Sequence, residues 1–449
     1  MTAVLQLPAP VEEPQVRGSN AGRTVATLAG LLATLPIDAL LVGAALLWHR
    51  SGSAPQPPTD VRRTVLISGG KMTKALQLAR SFHSDGHRVI LVESAKYRFT
   101  GHRFSRAVDA FHCVPEPTAA GYAEALLDVV RREGVDLFIP VSSPAASQPD
   151  AAARRLLDGV CEVLHAEEKT VRMLDDKTEF SAVAEELGLR VPDWRRITNP
   201  QQVIDFDFPR GRSYILKRIA YNPVGRLDLT PLSGETPNRN AAFARSLPIS
   251  EDDPWILQQF IPGREYCTHG TARQGRLQVY GCCESSASQL NYEMVDKPEI
   301  RAWVEHFVDA LGITGQVSFD FIESADGDIY AIECNPRTHS AITMFHNHSQ
   351  VAQAYLHDSH PVITPRAGAR PTYWIYQEIW RLLTQRGRGR RLATILRGKD
   401  AIFTWWDPLP YLMVHHLQIP ALLVDNLRRR RGWTKIDFNI GKLVEMDGD

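Results

Sequence analysis

Apolar positions along this chain change period from one region to the next, and each change predicts a different element. From Val25 to Trp48 the sequence VATLAGLLATLPIDALLVGAALLW is apolar almost without interruption. About 20 such residues are enough to cross a bilayer. Pro36 and Asp38 fall at the centre of the run, however, where a carboxylate costs about 2.5 to 3.5 kcal/mol even on a lenient insertion scale. The expectation for residues 23–50 is therefore a membrane-surface anchor or a hairpin of two short helices hinged at Pro36, ahead of a span or a signal peptide. Docking onto the protein itself is the plain alternative. Residues 1–22 lack an apolar period and are expected to be disordered. The Pro/Ser-rich stretch 51–63 reads as a linker.

Beyond the linker, TVLISGG is an apolar strand ending in Gly69 and Gly70, and Met72, Ala75, Leu76 and Ala79 then recur at helical spacing. RVILVES and VDLFIPVSS read as further buried strands. Strands alternating with helices imply a parallel sheet with right-handed crossovers. The turn after the first strand could hold an anion at a helix N-terminus, but Lys71 is not in a phosphate-loop frame.

In the central third, MLDDKTEFSAVAEELGLRVPDW has a helical period after Asp176 and brings Lys177 to the helix start. SYILKRI is an alternating strand with Lys217. That lysine either faces inward, where an anion such as a nucleotide phosphate must pair it, or faces water on an edge strand. PWILQQFIPGREYCTHG supplies a strand, a break at Pro262 and Gly263, and a second strand with Glu265. QVSFDFIESADGDIYAIECNPR is a hairpin around Asp326 and Gly327. Glu333 and Asn335, two apart, share one face of its return strand, where Asp320 of the partner strand can meet them. This hard-oxygen set is too small to cage a metal alone and fits Mg²⁺ shared with nucleotide phosphates and water.

Charge narrows the partners. Lys plus Arg and Asp plus Glu each number 51, so nothing argues for nucleic acid, and small molecules are expected. The six cysteines form no CxxC pair, which suits reduced thiols in the cytoplasm. A zinc site built on Cys334, His339, His346 and His348 is the weaker reading of that segment. The sequence leaves open a homo-oligomer.

The order Lys177, Lys217, Glu265, Asp320, Glu333, Asn335, Arg337 resembles the ATP-grasp superfamily over about Met173–His348, with FDFIESADGDIYAIECNPR as its most specific block. D-alanine:D-alanine ligase and biotin carboxylase belong to that superfamily. LISGGKMTKALQLARSFHSDGHRVILVE, GHRFSRAV, ECNPRTHSAITMFHNH, PTYWIYQEIW and GWTKIDFNIGKLVE resemble, more closely, the ATP-grasp ligases of mycosporine biosynthesis. The resemblance implies an α/β (α+β) chain: a parallel pre-ATP-grasp domain over 64–168, an ATP-grasp domain over 169–366 and a helical or mixed C-terminal extension over 367–449. It implies ATP and one or two Mg²⁺ ions, with Mn²⁺ as a substitute, and glycine joined to 4-deoxygadusol through a phosphorylated enol. A dipeptide-type ligase working through an acyl phosphate is the alternative, and a membrane-tethered ATP-binding protein without activity a more distant one.

By position, the resemblance gives Lys177 and Lys217 to the phosphates. Gln258, Gln259, Phe260 and Ile261 go to the adenine, Glu265 to the ribose, and Asp320, Glu333 and Asn335 to Mg²⁺. Arg337, with Lys217, is catalytic, stabilising the transferring phosphoryl. Gln258 departs from the acidic residue many members carry, and the loop AYNPVGRLDLT, with Arg226, lacks the usual glycine density. Arg337 or Arg264 could hold the glycine carboxylate, and His339, His346 or His348 could take the amine proton. The tail after Arg366 mixes Trp, Leu and Arg in a way that suits either a membrane surface or a packed helical subdomain.

Overall fold

The computed structural model describes residues 20–48, 61–141, 143–220, 228–285, 291–385 and 387–445. Of the disorder expected over 1–22, residues 1–19 lie outside these residues, as do most of the 51–63 linker and the loop position Arg226, while Ala21 and Gly22 are helical and correct that boundary. Helix α1 (Ala21–Trp48) is continuous through Pro36, which corrects the hairpin expectation. An interior proline costs a helix about 3 kcal/mol or more, and packing of one face offsets it. Thr24, Leu31, Asp38, Val42 and Ala45 are the buried residues, and their spacing puts them on a single stripe. Near the helix start Asn20 donates to the Trp433 carbonyl at 2.7 Å, and the Arg23 guanidinium lies 4.1 Å from the Trp433 ring centre. Mid-helix, Tyr376 donates to Asp38 at 2.5 Å and His416 lies 2.7 Å from the same carboxylate. The acid that argues against a bilayer span is the group that docks the helix.

Strands β1 (Thr64–Ile67), β2 (Arg88–Ser94), β3 (Ala110–Val114), β4 (Leu137–Ile139) and β5 (Glu162–Val163) form a parallel sheet in the order β3-β2-β1-β4-β5. Helices α2 (Thr73–Ser84), α3 (Tyr122–Glu133) and α4 (Ser147–Leu157) connect them. The turn after β1 holds Gly69 at φ +66°, and a Cβ there would lie 2.2 Å from the Val141 carbonyl oxygen. Only glycine fits this turn.

Helix α5 (Glu168–Asp175) leads into α6 (Lys177–Glu186), whose N-terminus is capped by the Asp176 side chain accepting from the amides of Thr178 and Glu179. Next come β6 (Trp194–Ile197), α7 (Pro200–Ile204), β7 (Tyr214–Arg218), α8 (Pro237–Ser246) and β8 (Trp255–Gln259), with an antiparallel sheet ordered β6-β8-β7. β9 (Gly263–Arg273), β10 (Arg276–Ser285), α9 (Pro298–Ala310), β11 (Gly315–Ser324) and β12 (Ile329–Asn335) follow, and their antiparallel sheet is ordered β10-β9-β11-β12. Trp303 and Phe307 of α9 close over Phe319 and Phe321 of β11 and form this unit's core. The β11–β12 hairpin turns through Gly327 at φ +87°, as its sequence predicts.

The chain ends in α10 (Val351–Leu356), β13 (Thr372–Tyr373), α11 (Ile375–Thr384), α12 (Arg388–Arg397), β14 (Lys399–Asp400), α13 (Leu409–Met413), α14 (Ile419–Arg428), β15 (Trp433–Asp437) and β16 (Lys442–Glu445). Of these, α10, α11, α13, α14, β15 and β16 share one apolar core with β1, α1 and α2, in which Val65, Leu76, Val42, Trp374 and Ile419 are all buried. A buried ion pair, Arg80 to Asp407 at 2.8 Å, fastens α2 to the same region.

Candidate active site

The site forms where the two antiparallel sheets meet. Register sets Asp320 opposite Glu333 and Ser318 opposite Asn335, and pairing shifts by one residue after Asp320. Ile332 is the extra residue of that bulge, and its carbonyl accepts from Gln258 at 3.3 Å. Lys217 in turn donates to the Gln258 amide oxygen at 3.3 Å. The Gln258 side chain therefore ties β7 and β8 to the bulge. Lys177, at the start of α6, lies 3.1 Å from Glu333. Lys217 thus faces inward, which settles the two readings of its strand. Arg337 donates to Asn335 Oδ1 through one nitrogen and to Asp175 at 3.4 Å through another.

Electrostatics sharpen this arrangement. Burial opposes ionisation of Glu333, yet Lys177 and Lys217 outweigh it and hold its carboxyl far below the usual range. Asp320 is pushed well above its ordinary value by burial, then by the neighbouring Glu333 charge. Of these two half-buried carboxyls, Glu333 is thus held toward the ionised form and Asp320 toward the neutral one. Burial also lowers the Lys217 ammonium and raises the Glu265 carboxyl. The Asp320–Glu333 pair fits a divalent cation, whose charge would favour the ionised form of both carboxyls. Among the described residues no three His, Cys, Asp or Glu side chains converge as a metal cage, so the zinc reading finds no support, and a cation here would need further oxygens from a ligand or water.

The structure brings Lys177, Lys217, Gln258, Glu265, Asp320, Glu333, Asn335 and Arg337 into one connected cluster. Gln259, Phe260 and Ile261 lead out of β8 beside it. The amide of Gln259 donates to the Asp193 carbonyl and that of Phe260 to the Ser213 carbonyl. His346 and His348 stand apart from the cluster, lining a cavity of about 250 Å³ with Arg80, Arg366 and Trp406. Burial pushes His346 down to about 4. Arg264 is exposed on β9.

Three groups escaped the sequence reading. Asp175 contacts Arg337 and is pushed up to about 6 by burial, against the pull of Arg337 and Lys177. Lys74 of α2 donates to the Thr338 carbonyl at 2.6 Å. Burial drives this ammonium down to about 7, and Arg337 and Lys71 add to the effect. His269 is buried on β9, accepting from the His339 amide at 3.3 Å, with no partner at Nε2 among the described residues. Lys74 sits in KMTK, at the same helical face as the apolar residues of α2, so nothing in its local pattern set it apart from a core position.

No protein-family model matches the chain. The fold is similar to that of N5-carboxyaminoimidazole ribonucleotide synthetase, solved as its ADP complex, at TM-score 0.52 and 14% identity, covering 71% of this chain and 82% of that one. Biotin carboxylase from Campylobacter jejuni, solved as a β,γ-ATP complex, superposes at TM-score 0.53 and 16% identity, covering 66% of this chain and 72% of that one. These likenesses define the ATP-grasp fold. In sequence, 315 residues are 21% identical to the carbamoyl phosphate synthase large chain of Vibrio cholerae serotype O1 (strain ATCC 39315 / El Tor Inaba N16961), 62% of this chain. The chain spans 27% of the length of that relative.

Proposed function

We propose that this chain is an ATP-dependent, Mg²⁺-requiring ligase that forms a C–N bond, and that it joins glycine to 4-deoxygadusol. The observation that carries the ligase reading is the half-buried Asp320–Glu333 pair between Lys177 and Lys217 in an ATP-grasp fold. Glycine and 4-deoxygadusol rest on the resemblance of the sequence motifs. In this reading Lys177 and Lys217 leave Glu333 and Gln258 to bind the nucleotide phosphates, and Glu265 accepts from the ribose. The adenine edge lies along Gln258 to Ile261, where the amides of Gln259 and Phe260 are already used, so Ile261 and the carbonyls meet it.

Asp320, Glu333 and Asn335 would hold Mg²⁺, which supplies charge neutralisation for the phosphates when bound. The terminal phosphoryl of ATP passes to the enolic oxygen of the cyclohexenone, leaving ADP. The glycine nitrogen then adds to that ring carbon, and the C–O bond to phosphate breaks as the nitrogen loses a proton. Such transfers depend on positioning and charge, which Arg337 and the lysines supply. The glycine carboxylate requires a cation, and Arg337 and Lys74 flank the same loop. His339 accepts from the Ala341 amide through Nδ1 at 3.2 Å, and its side chain also bonds the Cys267 thiol, so this imidazole takes up the amine proton only by giving up that bond. The free cysteines suit a cytoplasmic setting.

ADP release from Mg-ATP, 4-deoxygadusol and glycine, each omitted in turn with the product mass recorded, tests both levels. ADP only with all three, and a product of the adduct mass, supports the full reading. ADP with amino acids alone replaces it with an acyl-phosphate ligase. No ADP with any amine overturns the ligase reading.

A further inference from the structure

Helices α1, α11 and α12 together carry only two carboxylates, Asp38 and Glu378, and both are buried and held from inside. Asp38 accepts from Tyr376 at 2.5 Å and from Tyr411 at 3.3 Å, with His416 at 2.7 Å. Glu378 is engaged by Arg381 at 3.0 Å and by Arg391 at 3.9 Å. What remains outside is apolar or basic. Val25, Leu32, Ile37, Leu40, Leu47 and Trp48 of α1 are all exposed, Leu40 at 76% and Trp48 at 82%. On a helical projection Leu40 and Leu47 lie opposite the buried stripe from Thr24 to Ala45, with Val25, Leu32, Ile37 and Trp48 on the flanks between.

The apolar face continues into the next helix. Tyr376 of α11 also pairs with Thr34 of α1 at 2.7 Å, and Trp380 and Leu383, one and two turns further along α11, are each 66% exposed. On α12, Leu392 and Leu396 are exposed one turn apart, and the exposed Arg388 and Arg397 flank them. Soluble monomers rarely leave so continuous an apolar surface uncovered.

We propose that this face lies on a lipid bilayer carrying anionic headgroups, with α1 in the plane of the interface. These three helices expose no carboxylate and carry arginines at the rim, which is complementary to anionic lipid. A second copy of the chain would present the same arginines to each other across a two-fold axis, which disfavours a dimer here. Length alone would permit α1 to span, but spanning would tear Asp38, Thr24 and Asn20 from their partners and bury a bare carboxylate in hydrocarbon.

Flotation of the full chain with vesicles tests this. The wild-type chain is expected to float with phosphatidylcholine vesicles containing phosphatidylglycerol, to float less without it or at high salt, and to be released by alkaline carbonate. Leu40→Glu with Trp380→Glu, both at exposed positions, is expected to lose flotation while melting with the wild-type midpoint. Failure of the wild-type chain to float, or unchanged flotation of the double variant, overturns the proposal. Retention after carbonate overturns the in-plane placement. A dimer that the double variant dissociates, without vesicle binding, assigns the face to a second copy instead.

Discussion

Asp320 and Glu333 place two carboxyl groups where their surroundings favour a single charge. Removing the titration of one should therefore harm chemistry without harming the fold. Asp320→Asn is expected to lower Mg-dependent ADP release by about a hundredfold or more, the size seen when one group that stabilises developing charge is lost. Its thermal midpoint should hold or rise, because the amide keeps the neutral form that burial and the Glu333 charge already favour at this position. A variant that unfolds, or that turns over ATP as the wild type does, would remove the pair from the site. Lys74 gives a second test at this scale. Its folded-state pKa of about 7, against 10.5, means the unfolded chain binds more protons between those values. Stability should therefore rise with pH from about 7 toward 10.5 and lose that contribution below 7. Urea midpoints of Lys74→Met should lack this rise, and identical pH slopes in the two proteins would show a lysine that titrates normally.

Among the elements, β9 owes its position to one residue. A Cβ on Gly263 would come within 2.1 Å of the Glu323 carbonyl oxygen, so the start of β9 can approach β11 only as glycine. Gly263→Ala is expected to destabilise the chain by about 1–3 kcal/mol and, because Glu265 lies two residues on, to raise KM for ATP. Equal urea midpoints for the two proteins would show that the strands yield without cost. The β11–β12 hairpin was legible in advance, since Asp326-Gly327 between alternating apolar runs leaves few other folds. The bulge at Ile332 was not. It depends on which residues of two strands face each other, and Gln258, which receives its carbonyl, comes from a different sheet. For the same reason Gln258 read as a weakened adenine contact, whereas the structure joins it to Lys217.

Across the whole molecule, α1 joins distant parts of the chain through Asp38. Burial pushes that carboxyl up, but the bonds from His416 and Tyr376 outweigh it and hold it below its ordinary 3.8. Its contribution to stability is present above that value and is lost as pH falls through the lower folded-state value. Asp38→Ala is expected to cost about 1–3 kcal/mol by stranding the Tyr376 and Tyr411 hydroxyls, measured by urea unfolding at neutral pH. An unchanged midpoint would mean that α1 is only loosely laid on the C-terminal elements. ADP release by the folded fraction should be unaffected, since Asp38 has no contact with the carboxylate pair.

Local pattern settled the elements: the alternation in SYILKRI and IYAIECN, the helical recurrence after Met72, and the glycine turn at Gly327 need nothing beyond nearest neighbours along the chain. It also brought Glu333, Asn335 and Asp320 together, because strand period and hairpin register fix which side chains share a face. The tertiary structure alone decided where the apolar run from Val25 to Trp48 goes. A helix of that composition suits a bilayer, a hairpin or a protein surface equally well, and the choice depends on Tyr376, Tyr411 and His416, more than 300 residues away. Packing likewise decided that Lys74 and Asp175 join the site, since burial and the charge of Arg337 reach them through space and leave no mark in their own neighbourhoods.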